Sequence, residues 1–120
     1  MPSKYTKAKS ISLKTKYEVY DRQHGLSLLS GKPITLAQCC CHYLNRGRGG
    51  VGFCWNIMAL TTDEHRKFDL HQDIDGMSHE ECCRIIEEHF KQHYVDWSIE
   101  RCKYKKYCDD EEDYKMLRTY

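Results

Sequence analysis

Cys41-His42-Tyr43-Leu44-Asn45-Arg46-Gly47-Arg48-Gly49-Gly50 opens the stretch that decides the fold, and Asn56-Ile57-Met58-Ala59-Leu60 followed by Glu64-His65-Arg66-Lys67-Phe68-Asp69 closes it. The β-branched and aromatic content of residues 34 to 43 predicts a strand, with Gly31-Lys32-Pro33 as the bend of a hairpin before it. Glycines at 47, 49, 50 and 52 are too many for a helix, so residues 45 to 52 read as a loop whose Arg46 and Arg48 can reach phosphate. That loop is not a phosphate-cradling P-loop, because the terminal Gly-Lys-Ser/Thr is missing. Trp55 to Leu60 is apolar and is expected to pack inward. Thr62 then caps a helix reaching to about Leu70, with Asp63 and Glu64 in its first turn where the helix dipole favours them.

The order His42, Asn56, His65, Asp69 is what phosphodiester hydrolysis can use. An imidazole near its own pKa takes a proton from water. A second imidazole holds a divalent metal that stabilises charge on the phosphate and the leaving oxygen. His65 and Asp69, four apart, leave one face of a helix and can bind one ion. Asn56 can hold the strand-end backbone and so aim His42.

Taken together, these segments resemble the HNH endonuclease family, small phage-type members in particular. The similarity spans roughly residues 17 to 107 and continues around Tyr94, Trp97 and residues 104 to 107. The resemblance implies an α+β chain, a ββα-metal core with a short β-hairpin and flanking helices. On that mapping His42 is the general base, Asn56 the catalytic residue that orients it, and His65 a metal ligand. Asp69 falls where many members carry a second helix ligand, and Cys41 where the family often has aspartate or histidine. Mg²⁺ or Mn²⁺ is the usual ion, and Zn²⁺ or Ni²⁺ occurs in relatives. The implied activity is metal-dependent hydrolysis of nucleic acid, DNA first, by a phage-encoded protein in the cytoplasm of a bacterial host.

Two departures stand out. Many HNH domains hold a structural zinc with two Cys-x-x-Cys pairs, but the corresponding places here read Ser27-Leu28-Leu29-Ser30 and Thr61-Thr62-Asp63-Glu64. The absence of all four thiols argues against that zinc, and packing by Leu26, Leu28 and Leu29 is expected in its stead. The second departure is Cys41 itself, a soft ligand poorly matched to Mg²⁺, which leaves the metal identity open. Cys39, Cys40 and Cys54 joining Cys41 in a separate zinc site is an alternative whose spacing matches no common pattern.

Outward from this core, 120 residues with 40% apolar content fit one domain. The net charge of +1 conceals a basic front and an acidic run at Asp109 to Asp113. Residues 1 to 16 read as a flexible basic arm, 17 to 107 as the HNH-like domain with a C-terminal helical extension, and 108 to 120 as a solvated acidic tail. Within the domain a short helix is expected from Tyr17 to His24, ending at Gly25. Ser78 with Glu81 makes a capping box for a longer helix whose Cys82, Ile85, Ile86, His89 and Phe90 form a core-facing stripe. A last helix is expected from about Ser98. Lys14, Lys16, Arg46, Arg48, Arg66 and Lys67 are the candidate phosphate contacts, giving affinity without sequence readout.

Eight cysteines include Cys39-Cys40-Cys41 and Cys82-Cys83, neighbours that pair poorly, so a disulfide framework is not expected and the compartment reads as reducing. No apolar run is long enough to span a membrane. Two other classes fit the same residues. One is an inactive HNH scaffold that inhibits a nuclease or host defence complex, its acidic run mimicking nucleic acid; the other is a nucleic-acid-binding accessory domain.

Overall fold

Residues 3–106, 108 and 111–116 are described by the computed structural model, and they form an α+β chain. Helices α1 (Lys4–Lys9) and α2 (Leu13–Arg22) come first. Strands β1 (Cys41–His42) and β2 (Ile57–Met58) pair antiparallel, Cys41 opposite Met58 and His42 opposite Ile57. They are followed by α3 (Thr62–Asp69), α4 (His79–His93) and α5 (Glu111–Met116). The core gathers on the hairpin: Trp55, Ile57, Met58, Ala59 and Leu60 are buried, against Ile86 and Phe90 of α4 and Val19 of α2. As expected, every residue from 54 to 60 packs inward.

Two polar side chains of the first helical region hold β2 in place. The guanidinium of Arg22 donates to the carbonyls of Cys54 and Ile57, to Tyr94 Oη, and through Nε to His89 Nε2 at 2.8 Å. The amide of Gln23 pairs with Ala59 in both directions, each bond 2.9 Å, as a neighbouring strand would. Buried backbone groups left without such partners would each cost about 1–3 kcal/mol. Burial, with Arg22 and His93 nearby, pulls His89 down to a pKa of about 3, so it stays a neutral acceptor for Arg22. Its structural role matches the stripe expected on α4, where Cys82, Ile86 and Phe90 are buried.

Several local expectations differ from the structure for identifiable reasons. The segment read as a flexible arm is helical over Lys4–Lys9, and α2 begins at Leu13 rather than Tyr17. Ser3 and Ser12 start the two helices, their side chains accepting from Thr6 N and Thr15 N, and this pair of serine caps was the overlooked signal. The expected strand over 34 to 43 survives only as Cys41–His42. A 3-10 turn at Leu36–Gln38 interrupts it, because the Gln38 side chain reaches back to accept from Thr35 N at 2.8 Å and outcompetes β propensity. The bend itself is present, as a bridge between Leu26 and Pro33.

Thr61, not Thr62, caps α3, in a capping box with Glu64. Ser78 caps α4 as expected, accepting from Glu81 N. The last helix expected from Ser98 is a single 3-10 turn, Ile99–Cys102, with no side-chain cap. Of the acidic tail, Asp109, Asp110 and residues 117 to 120 lie outside the described residues, while Tyr114 is buried and its hydroxyl accepts from Lys105 N.

At the positions where zinc-binding cysteines are absent, Leu28 and Leu29 pack against the core as expected, Leu26 does not, and hydrogen bonds add a second link. Ser27 Oγ donates to Glu64 Oε1 at 2.6 Å and accepts from Leu29 N at 3.2 Å, while Thr61 N donates to the same Glu64 oxygen at 2.9 Å. Ser27 and Glu64 are both buried, whereas Leu26 is exposed and Leu28 and Leu29 are half-buried. This polar strut ties the bend before β1 to the start of α3. None of the eight cysteines is held in a disulfide, as the vicinal clusters imply. Among the described residues no helix is long and apolar enough to cross a membrane.

Candidate metal centre and nucleic-acid interface

The strand β1 and the helix α3 bring three different ligand types to one point. Cys41 Sγ, a nitrogen of His65 and a carboxylate oxygen of Asp69 all lie within 4.8 Å of one another. Cys41 is fully buried on β1, while His65 is half-buried and Asp69 exposed one turn apart on α3. His65 Nε2 stands 3.2 Å from Asp69 Oδ2, and its Nδ1 faces Cys40 Sγ at 4.0 Å. The Asp69 oxygen can only accept, so this contact needs a proton on Nε2, which a metal ion held by Nε2 would displace. Burial, then Asp69 and Cys40, push the Cys41 thiol far up, so without an ion it keeps its proton.

A sulfur, an imidazole nitrogen and a carboxylate oxygen at this separation are a fit for a divalent ion of borderline softness. Among the described residues this is the one such group, so the alternative site built from Cys39, Cys40, Cys54 and Cys41 does not form. Cys39 instead directs its thiol to the carbonyl of Thr35.

His42 follows Cys41 in the chain and so points to the other side of β1. Its Nε2 lies 3.0 Å from the carbonyl oxygen of Lys9, which can only accept, so Nε2 carries the proton and Nδ1 is the basic nitrogen. Burial lowers the His42 pKa, with Arg46 and His65 adding to the effect and the Lys9 bond and Asp69 opposing it. The imidazole is therefore neutral at neutral pH. His65 and Asp69 are close enough to act on it, and His42 and Asp69 line one cleft of about 160 Å³.

Asn56 does not reach that cleft. It is fully buried at the end of the loop, where Oδ1 accepts from Leu44 N at 2.8 Å and Nδ2 donates to the carbonyls of Leu44 and Val51. With Tyr43 N donating to Asn56 O, the residue locks the chain just beyond His42. Its role is positioning. The loop it closes admits only glycine at two places: a Cβ on Gly50 would lie 1.8 Å from Leu44 O, and one on Gly52 2.1 Å from Ser10 O. The second contact is where the N-terminal segment docks, with Gly52 N donating to Ala8 O.

The candidate phosphate contacts divide. Arg46 and Arg48 are exposed on the loop beside His42, and Arg48 lines the cleft. Lys16 is half-buried and acts on Cys39 and Cys40. Lys14 is exposed and lies 3.9 Å from both Glu18 and Glu111. Arg66 and Lys67 both pair with Asp63, at 2.7 and 3.1 Å, around the helix from His65 and Asp69. Residue type alone favoured that pair, and its position on α3 turns it from the site. Sequence reasoning missed the Lys9 carbonyl, a backbone group that no residue pattern marks.

Comparison with protein-family models, with curated proteins and with solved structures finds no significant match to this chain.

Proposed function

We propose that this protein is a metal-dependent endonuclease of the HNH type, hydrolysing phosphodiester bonds of nucleic acid, DNA in the first place, with His42 as general base. The observation that carries this reading is the convergence of Cys41, His65 and Asp69 within 4.8 Å, beside a neutral histidine that shares a cleft with one of them. On this reading the hairpin and α3 form a ββα-metal core. A bound divalent ion supplies stabilisation of charge on the phosphate and leaving oxygen. Cys41, His65 through Nε2, and Asp69 hold it. His42 receives a proton from water on Nδ1, its other nitrogen being committed to Lys9. Asn56 keeps β1 at the distance this requires, and Arg46 and Arg48 engage the phosphate backbone.

The cysteine alters the cofactor reading. A buried thiolate donor favours Zn²⁺, Ni²⁺ or Co²⁺ over Mg²⁺, with Mn²⁺ between them. Eight cysteines outside any disulfide fit a reducing compartment such as the cytoplasm of a bacterial host.

The test is supercoiled plasmid incubated with Mg²⁺, Mn²⁺, Ni²⁺ or Zn²⁺, with and without chelator, alongside His42→Ala. Metal-dependent nicking that disappears in the variant is expected. Binding without nicking in every metal would remove the enzymatic reading.

A further inference from the structure

We propose that the cleft beside His42 and Asp69 is a subsite for one unpaired nucleobase, stacked on His71, so that the protein acts on nucleic acid with a nucleotide out of the duplex next to the attacked phosphate. The inference rests on the nuclease reading for the place of the phosphate, but the stacking surface stands on its own geometry.

A tier of rings leads outward from the core. Phe90 and Trp97 stack at 5.3 Å, Tyr43 lies against both and against Phe68, and Phe68 meets His79 at 4.8 Å. His79 in turn stacks on His71, centroids 3.9 Å apart and planes 12° from parallel. His71 ends the tier in solvent, and among the described residues no further ring covers it. The ring is held there. His71 has φ of +57°, its backbone N–H donates to Phe68 O, and Gln72 N closes the turn onto Lys67 O. His79 is pinned in its turn by Cys83, whose sulfur lies 3.4 Å from Nε2.

His71 and His79 line the same cleft as His42, Asp69 and Arg48. One cleft therefore brings together a base for water, a metal-side carboxylate, a cation for phosphate and the imidazole of His71 at the exposed end of the stack. The cleft holds about 160 Å³. A base inside a duplex is stacked on both faces and cannot present one to His71, so it must leave the stack first. Aromatic stacking of this kind takes any base and carries no sequence readout.

The probe is an oligonucleotide carrying 2-aminopurine, either single-stranded or in a duplex, added to metal-loaded protein bearing His42→Ala to prevent cutting. Fluorescence changes on binding the single strand and not the duplex are expected. His71→Ala in that background is expected to weaken single-strand binding about tenfold or more and abolish the signal, with duplex binding unchanged and His71→Phe restoring both. Equal binding and signal in His71→Ala overturns the proposal even if the parent protein nicks plasmid. A signal dependent on His71, in a protein that nicks nothing in any metal, upholds the base subsite and removes the nuclease reading alone.

Discussion

His42 donates its Nε2 proton to the carbonyl oxygen of Lys9, 3.0 Å away and 33 residues earlier in the chain. The bond couples the last residue of the first helix to the candidate base, and it decides which nitrogen is basic. Removing residues 1 to 11 frees that nitrogen and lets the ring turn. Metal-dependent nicking is expected to fall up to about 100-fold, part of the contribution a positioned base makes. Steady-state rates check it, together with imidazole nitrogen shifts, which should report the Nε2–H tautomer only in the full chain.

Asn56→Ala leaves Leu44 N, Leu44 O and Val51 O without their partner in a fully buried place. A loss of about 3 kcal/mol in urea unfolding is expected. Asn56→Asp should be no better, since it keeps the acceptor toward Leu44 N but sets a carboxylate against two carbonyls.

Glu64 links pH to stability. Burial raises its pKa, but hydrogen bonds from Ser27, Ser30 and Thr61 outweigh that and hold it below the ordinary 4.5. Folded protein then binds fewer protons here than unfolded protein does. The stabilisation is complete above pH 4.5 and fades as pH falls through the depressed folded value. Glu64→Gln should lower the unfolding midpoint at neutral pH and narrow the gap to the parent in acid, which thermal melts across that range measure.

On the metal-site reading, Cys41 is the donor that would set the metal preference. Co²⁺ added to the protein should give a sulfur-to-cobalt charge-transfer band that chelator removes and that Cys41→Asp lacks. The same variant should bind Zn²⁺ at least about tenfold more weakly and respond better to Mg²⁺ or Mn²⁺. Isothermal titration of each ion against parent and variant provides the comparison. Equal cobalt spectra in both would show that the thiol points elsewhere.

Sequence alone was enough for the features that depend on neighbours in the chain. Ser78 to Glu81 announces a helix start, the α3 start was legible to within one residue, four-residue spacing puts His65 and Asp69 on one face, and the apolar run from 55 to 60 had to be buried. The adjacent cysteines likewise spoke against disulfides. Tertiary structure decided everything that joins distant segments: Cys41 meeting His65 and Asp69, the Lys9 carbonyl choosing the tautomer of His42, Ser27 bridging to Glu64 where thiols are absent, and the ring tier ending at His71. Local patterns report torsional preference and facing, which act over a few residues. A backbone carbonyl or a cross-chain hydrogen bond has no such signature, because its partner is selected only when burial forces every polar group to find one.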